Sequence, residues 1–241
     1  MSVLIYNSAE ELFTDLSEDI IKIGSQAISE RGRFDFVLTG GNSPKKLYEL
    51  LATSYKERLD WSKVFFFFGD ERNVTPNHES YNGLMAKRAI LDPLNIAEDH
   101  IFYVNTNLEP EQAAQAYNDA ILSHFEGTEL SFDLILLGMG DDAHTASLFP
   151  ETTILTNTEV AVSAVYVDKL STYRISFTAP LINKAKNIAF LVFGAAKADA
   201  IKHVLGQEEK NTTLYPSQLI KPINGNLTWF LDDDAAELLE N

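Results

Sequence analysis

Four short stretches constrain this chain more than anything else in it: Phe34–Thr39 (FDFVLT), Val64–Phe68 (VFFFF), Phe132–Leu137 (FDLILL) and Ile188–Phe193 (IAFLVF). Each is nearly continuously apolar instead of alternating, as strands are when both faces of a parallel sheet are covered. Each is followed at once by glycine. Helical patterns lie between them. Leu12, Leu16, Ile20, Ile23 and Ala27 recur at three- and four-residue spacing behind the cap candidates Asn7 and Ser8, which predicts an amphipathic helix ending at Gly32. Pro44 opens a second helix through Leu51, and others are predicted from about Ser80 to Ile90, Pro110 to Phe125 and Ala196 to Leu205. Further strands are expected at Ile101–Val104, Val160–Val167, Tyr173–Thr178 and Leu227–Leu231, the last before an acidic terminal helix. VFFFF reads as a central strand. This alternation predicts an α/β fold with a mostly parallel sheet covered by helices on both faces. No repeat or Gly/Ser/Pro-rich linker interrupts the 241 residues, so 1–241 reads as a single domain.

Charge narrows the partners. With 19 basic and 35 acidic residues the net charge is −16, which repels nucleic acid and anionic membranes. If the ligand is an anion, the few cations must be gathered at one place. There is no cysteine, hence no disulfide, thiolate nucleophile or Cys-ligated metal. The start, MSVLIYNSAEELF, lacks a basic n-region with an apolar h-region, and the longest apolar run, Ile188–Ala196, is far below the ~18 residues of a membrane span. A soluble, cytoplasmic protein is expected.

Ligands of such folds sit beyond the carboxyl ends of the strands, and four strand ends carry unusual chemistry. The first is Thr39-Gly40-Gly41-Asn42-Ser43-Pro44, where glycines and a helix N-terminus suit an anion but equally suit an ordinary tight turn. The second is Gly69-Asp70-Glu71-Arg72; the plain alternative is that Asp70 caps a turn while Glu71 and Arg72 face solvent. The third, Gly138-Met139-Gly140-Asp141-Asp142-Ala143-His144, begins like a dinucleotide motif but lacks its third glycine, which disfavours NAD. Here His144, two residues after Asp142, is a candidate proton carrier; His78, His100, His124 and His203 read as structural. Ser147 lies in no G-x-S-x-G elbow, which disfavours a serine hydrolase. The fourth joins Arg174 with Lys197. Each alone is a surface cation; together, in so acidic a chain, they suggest a phosphate clamp.

With these residues in view, the chain resembles the 6-phosphogluconolactonase family, within the superfamily shared with glucosamine-6-phosphate isomerase/deaminase. The resemblance runs through LTGGNSPKKLYELL, FFFGDERNVTPNHES, FDLILLGMGDDAHTASLFP, RISFTAPLIN, FGAAKADAI, and LYPSQLI with LTWFLD, in family order and over nearly the whole chain. It implies a three-layer α/β/α sandwich of the doubly wound, isomerase-like type. It also implies hydrolysis of 6-phospho-D-glucono-1,5-lactone to 6-phosphogluconate in the pentose phosphate pathway, with no nucleotide and no required metal. By position it makes Gly40, Gly41 and Asn42 the phosphate-cradling loop, with Arg174 and Lys197 as cationic partners. His144 matches the catalytic histidine, Asp142 the carboxylate beside it, and Asp70 and Arg72 a charged pair at the sugar end. Two positions depart from the pattern: Asn42 stands where serine is common, and Ala143 replaces the usual glycine. If residue 143 takes φ > 0, alanine costs on the order of 1–2 kcal/mol there.

The expected chemistry is direct attack of water on the lactone carbonyl. Reference imidazole titrates near 6.5, so neutral His144 would accept the proton of that water. Amides of the Gly138–His144 loop would meet the oxyanion. Two rivals share the scaffold. A glucosamine-6-phosphate deaminase would use Asp70 to move a proton between C1 and C2, but such enzymes typically read Asp-Glu-Tyr and Phe-Asn-Glu-Pro where this chain has Asp-Glu-Arg and Ala-Ser-Leu-Phe-Pro. A non-catalytic sugar-phosphate-binding module of a transcription regulator would need a basic helix-turn-helix segment, for which no room precedes the first strand.

Overall fold

The structure, a computed structural model, describes residues 1–207 and 209–239. Its main sheet has six parallel strands in the order β1-β9-β8-β5-β2-β3: β1 (Ser2–Tyr6), β2 (Phe34–Leu38), β3 (Val64–Phe68), β5 (Leu134–Leu137), β8 (Asn187–Val192) and β9 (Asn226–Asp232). A second, antiparallel sheet of β4 (Asp70–Arg72), β7 (Thr172–Phe177) and β6 (Val162–Val167) stands beside it. The principal helices are α1 (Ala9–Arg31), α2 (Asn42–Thr53), α3 (Asn82–Ala86, continued by a π-helical turn over Lys87–Leu91) and α4 (Pro110–His124). Three shorter ones follow: α5 (Ala179–Ile182), α6 (Ala198–Leu205) and α7 (Asp233–Ala236).

The continuous apolar runs have a direct explanation in two cores, one on each face of the sheet. Phe36, Phe66, Leu136, Leu191 and Phe230 point to the side of α1 and α2, while Val37, Phe67, Ile135, Phe190 and Trp229 point to the side of α4 and the small sheet. Since strand side chains alternate, both sets must be apolar. Helix α1 starts and stops where its caps place it: the Ser8 hydroxyl accepts from Glu11 N, and Gly32 takes the left-handed conformation at φ 78°.

Two expectations need correction. VFFFF is not central but the last strand of the sheet. Its outer edge is closed by a single bridge from Phe66 to Ile101, and that bridge is all that forms of the strand expected at Ile101–Val104. Val160–Val167 and Tyr173–Thr178 do become strands, β6 and β7, but outside the parallel sheet. A further strand, β1, forms the opposite edge; its Val3-Leu4-Ile5-Tyr6 run is as apolar as the others but largely exposed. Among the described residues no helix is long and apolar enough to cross a membrane.

From β2 the chain winds outward to β3 at one edge, and from β5 it winds through β8 and β9 toward the other. The reversal therefore falls between β2 and β5, adjacent strands in parallel register (Phe36 with Leu134, Val37 with Ile135). Loops leaving their carboxyl ends diverge and open a crevice.

Candidate functional site

A cleft of about 450 Å³ occupies that crevice, lined from both loops, from β4 and β7, and from the segment leading into α6. The loop after β2 is shaped by its glycines. Gly41 has φ 119°, a conformation that L side chains rarely adopt, and starts α2 without a side-chain cap. Gly40 is required by close approach: a Cβ there would lie 1.9 Å from Asn82 Oδ1, and Asn82 Nδ2 donates to the Asp70 carbonyl at 2.9 Å. Among the described residues the N–H groups of Gly40 and Gly41 have no acceptor, which leaves them and the start of α2 open to an anion.

The loop after β5 carries the titratable pair. His144 Nδ1 lies 2.5 Å from Asp142 Oδ1, the His144 amide donates to the same oxygen at 3.3 Å, and the ring stacks on Phe149 at 3.9 Å between centroids. A Cβ at Gly140 would stand 2.1 Å from His144 Nδ1, so only glycine lets the ring fold back over its own loop. Asp142 Oδ2 accepts from Lys169 Nζ at 3.0 Å. Burial pushes the Asp142 carboxyl up, but the hydrogen bonds and charges of His144 and Lys169 outweigh it and hold the group well below the usual carboxylate range. With Nδ1 committed to a carboxylate, the ring's free nitrogen is Nε2. Ala143 does take a left-handed φ of 58°; it is held there by burial, and its carbonyl accepts both the amide and the hydroxyl of Ser217, at 3.0 and 2.7 Å. Three of the loop's amides are committed to its own shape. Gly140 N donates to the His144 carbonyl and Ala143 N to the Gly140 carbonyl, so neither, nor the His144 amide, is free to meet an oxyanion.

On β4 the three charges divide. Asp70 is buried and its Oδ2 accepts from Ser147 Oγ at 2.7 Å. Glu71, expected under the plain reading to face solvent, is fully buried on the opposite side of the strand. It accepts the amides of Arg72, Asn82 and Gly83 at 2.7–2.9 Å and so pins the start of α3. Burial pushes its carboxyl up to about 8, against those three donors. Arg72 is half-buried and pairs in register with Arg174 on β7, which sets two guanidiniums side by side. The Nε of each is buried without a hydrogen-bond partner. Burial lowers the pKa of Arg174 against the pull of the Asp70 carboxylate, and Arg72 adds a smaller push in the same direction as burial. Like charges brought together in a partly dry place call for an anion.

Gly40, Gly41, Asp70, Arg72, Asp142, His144, Arg174 and Lys197 all line this one cleft. Asn42 does not. Its side chain is exposed in the first turn of α2, and Ser43 takes the place at the cleft wall. Sequence reasoning weighed Ser147 only as a nucleophile and missed that it holds Asp70, and it passed over Lys169, which holds Asp142. A lysine in the Asp-Lys-Leu-Ser turn between two strands gives no local sign of a partner 27 positions earlier. Among the described residues no group of three or more acidic, histidine or cysteine side chains is arranged to hold a metal ion.

Comparison with known proteins finds relatives over most of the chain. The family described as glucosamine-6-phosphate isomerases/6-phosphogluconolactonase matches residues 7–229. A 6-phosphogluconolactonase of Synechocystis sp. is 42% identical over 219 residues, covering 89% of this chain and 88% of the relative. One from Nostoc sp. is 41% identical over 217 residues, covering 88% of each. The solved 6-phosphogluconolactonase of Trypanosoma cruzi superposes with a TM-score of 0.86 at 26% identity, covering 100% of this chain and 97% of that one.

Proposed function

Because this chain belongs to the glucosamine-6-phosphate isomerase/6-phosphogluconolactonase family, we propose that it hydrolyses 6-phospho-D-glucono-1,5-lactone to 6-phosphogluconate in the pentose phosphate pathway. One observation carries the mechanism: His144 is tied through Nδ1 to Asp142, and its unbonded Nε2 belongs to a cleft whose other walls hold Arg72, Arg174 and Lys197. Nε2 takes a proton from water as the oxygen adds to C1, and Asp142 stabilises the imidazolium that forms. The same nitrogen returns the proton to the ring oxygen as the C1–O bond breaks, so water is consumed and no covalent enzyme intermediate is needed.

The phosphate end follows from charge. Arg174, Lys197 and the open amides of Gly40 and Gly41 anchor the 6-phosphate, which fixes the distance of C1 from His144 and converts binding energy into orientation. Arg72 and the Ser147-held Asp70 address the sugar between them. We read residues 1–241 as one domain because both cores are built on the same six strands, and place its activity in the cytoplasm with no nucleic-acid or membrane partner, in keeping with the net charge of −16.

The test is a lactonase assay with 6-phosphogluconolactone, coupled to 6-phosphogluconate dehydrogenase and corrected for spontaneous hydrolysis. Turnover above the spontaneous rate is expected, with no ammonia released from glucosamine 6-phosphate. The reverse pattern would replace lactone hydrolysis with deamination.

A further inference from the structure

Lys169 sits where the β6–β7 hairpin turns. The two strands are laddered from Val162–Phe177 to Val167–Thr172, and the turn Asp168–Leu170 closes on Ser171 in the left-handed region at φ 49°. The turn borders the cleft through Lys169 and Leu170. From it the Lys169 ammonium reaches Asp142 Oδ2 at 3.0 Å, while Oδ1 of the same carboxylate is engaged by His144. Both oxygens are thus taken, by groups from separate parts of the chain, and the carboxylate cannot rotate without losing one of them. The lysine side chain is 64% exposed, and an exposed ion pair contributes little to folding. The hairpin has its own six-pair ladder. Stability therefore does not account for the contact.

We propose that Lys169 is a positioning residue for the reaction: it locks the Asp142 carboxylate that orients His144, and its charge offsets that carboxylate beside the ring. The kinetic part of this inference rests on the lactonase reading. The electrostatic reasoning is simple. Asp142 alone beside the ring would favour imidazolium, which cannot accept a proton from water. An ammonium on the far oxygen offsets that carboxylate. The other charged groups of the cleft are Asp141 on the same loop, Asp70 and Arg72 on β4, Arg174 on β7 and Lys197 before α6, and a change at Lys169 leaves all of them in place. The pull is mutual, since the hydrogen bond to Asp142 raises the pKa of Lys169 and so keeps it charged. The geometry has a second consequence. The hairpin that holds Asp142 at its tip also carries Arg174 five residues later, so one element sets the catalytic carboxylate and a phosphate-binding cation relative to each other.

The test compares the unaltered protein with Lys169→Met, Lys169→Gln and Lys169→Arg. Two measurements are made between about pH 5.5 and about pH 8, the range in which imidazole titrates: kcat/KM on 6-phosphogluconolactone, and the titration of the His144 ring resonances in the unliganded proteins by NMR. For the two neutral variants the acid limb of kcat/KM and the ring titration should both move upward by roughly half a pH unit, lowering kcat/KM roughly threefold on the acid side with little change on the alkaline side. Lys169→Arg, which keeps the charge, should follow the unaltered protein. Coincident limbs and ring titrations in all four proteins would overturn the proposal. So would a rise in KM alone with an unmoved limb, which would make Lys169 a substrate contact. If the unaltered protein shows no lactonase turnover, the functional reading fails, while the ring titration still decides the role of Lys169.

Discussion

Two hydrogen-bonded histidine–aspartate pairs, one at each end of the parallel sheet, differ instructively. His144 and Asp142 lie 2.5 Å apart at the carboxyl end with side chains 26% and 21% exposed; His124 Nε2 and Asp35 Oδ1 lie 2.7 Å apart at the amino end, 7% and 3% exposed. His124 is enclosed by the rings of Phe65, Phe67, Phe102 and Phe125, and Asp35 also binds Arg33. The chemistry of the two pairs is alike. What separates them is which nitrogen remains: the second pair spends Nε2 on its carboxylate inside an apolar wall, whereas the first spends Nδ1 and leaves Nε2 to a cleft lined with cations. Function is thus a property of access and surroundings, and the pair at the closed end belongs to the core.

The sharpest way to break this comparison is to remove each pair in turn. His144→Ala should lower kcat by ~10²–10⁴-fold with little change in KM, the usual contribution of a positioned base. Asp35→Ala should leave kcat of the folded enzyme intact yet cost about 3–5 kcal/mol by stranding His124 and Arg33, which lowers Tm by roughly 6–20 °C. If Asp35→Ala abolished turnover at unchanged Tm, the assignment of roles would be reversed. Next in size are the cations. Arg174→Ala and Lys197→Ala should each raise KM by about 10- to 100-fold, the loss of one charge-assisted bond, with Arg174 the larger because a guanidinium can hold two phosphate oxygens at once. Unaltered KM in both would remove the phosphate clamp.

Ala143→Gly should raise Tm by about 2–4 °C with activity unchanged, because glycine relieves a φ of 58° at a cost of about 1 kcal/mol to the present side chain; a fall in Tm would show that burial of the methyl group outweighs the strain. The smallest effect concerns Glu71. Its folded-state pKa, near 8, lies above the usual carboxylate value, so the folded form holds its proton longer than the unfolded chain. That contribution is complete in acid and is lost as pH rises from about 4.5 towards 8. Relative to Glu71→Gln, the unaltered protein should therefore lose a few degrees of Tm over that interval. A parallel pair of Tm curves would mean that the three amide donors hold Glu71 ionised throughout.

Much of this was legible in the residues. Strands buried on both faces leave uninterrupted apolar runs, and helices with caps leave periodic ones, so β2, β3, β5, β8, α1, α2 and α4 announce themselves. The glycine turns, His144 and Lys197 follow strand ends, where a parallel fold puts its ligands, whereas Arg174 lies inside β7 of the antiparallel sheet. Less was legible where the signal depends on a partner far away. VFFFF looks central because its edge is shielded by Ile101, and β1, though an apolar run in the sequence, is an exposed edge paired only with β9. Glu71 looks like a surface charge until the amides of Asn82 and Gly83 are seen to close on it.

The line between the two kinds of knowledge follows range. Side-chain periodicity and backbone preference are local, and they determined by themselves the layered α/β architecture and the strand ends at which chemistry is placed, while the ordered motifs carried the resemblance to the family. Which of those ends share a cleft, which face of β4 is the working one, that Ser43 replaces Asn42 at its wall and that Lys169 grips Asp142 were decided only by tertiary structure. Such contacts are fixed by strand order and register between residues remote in the chain, and no pattern along the chain encodes their distance.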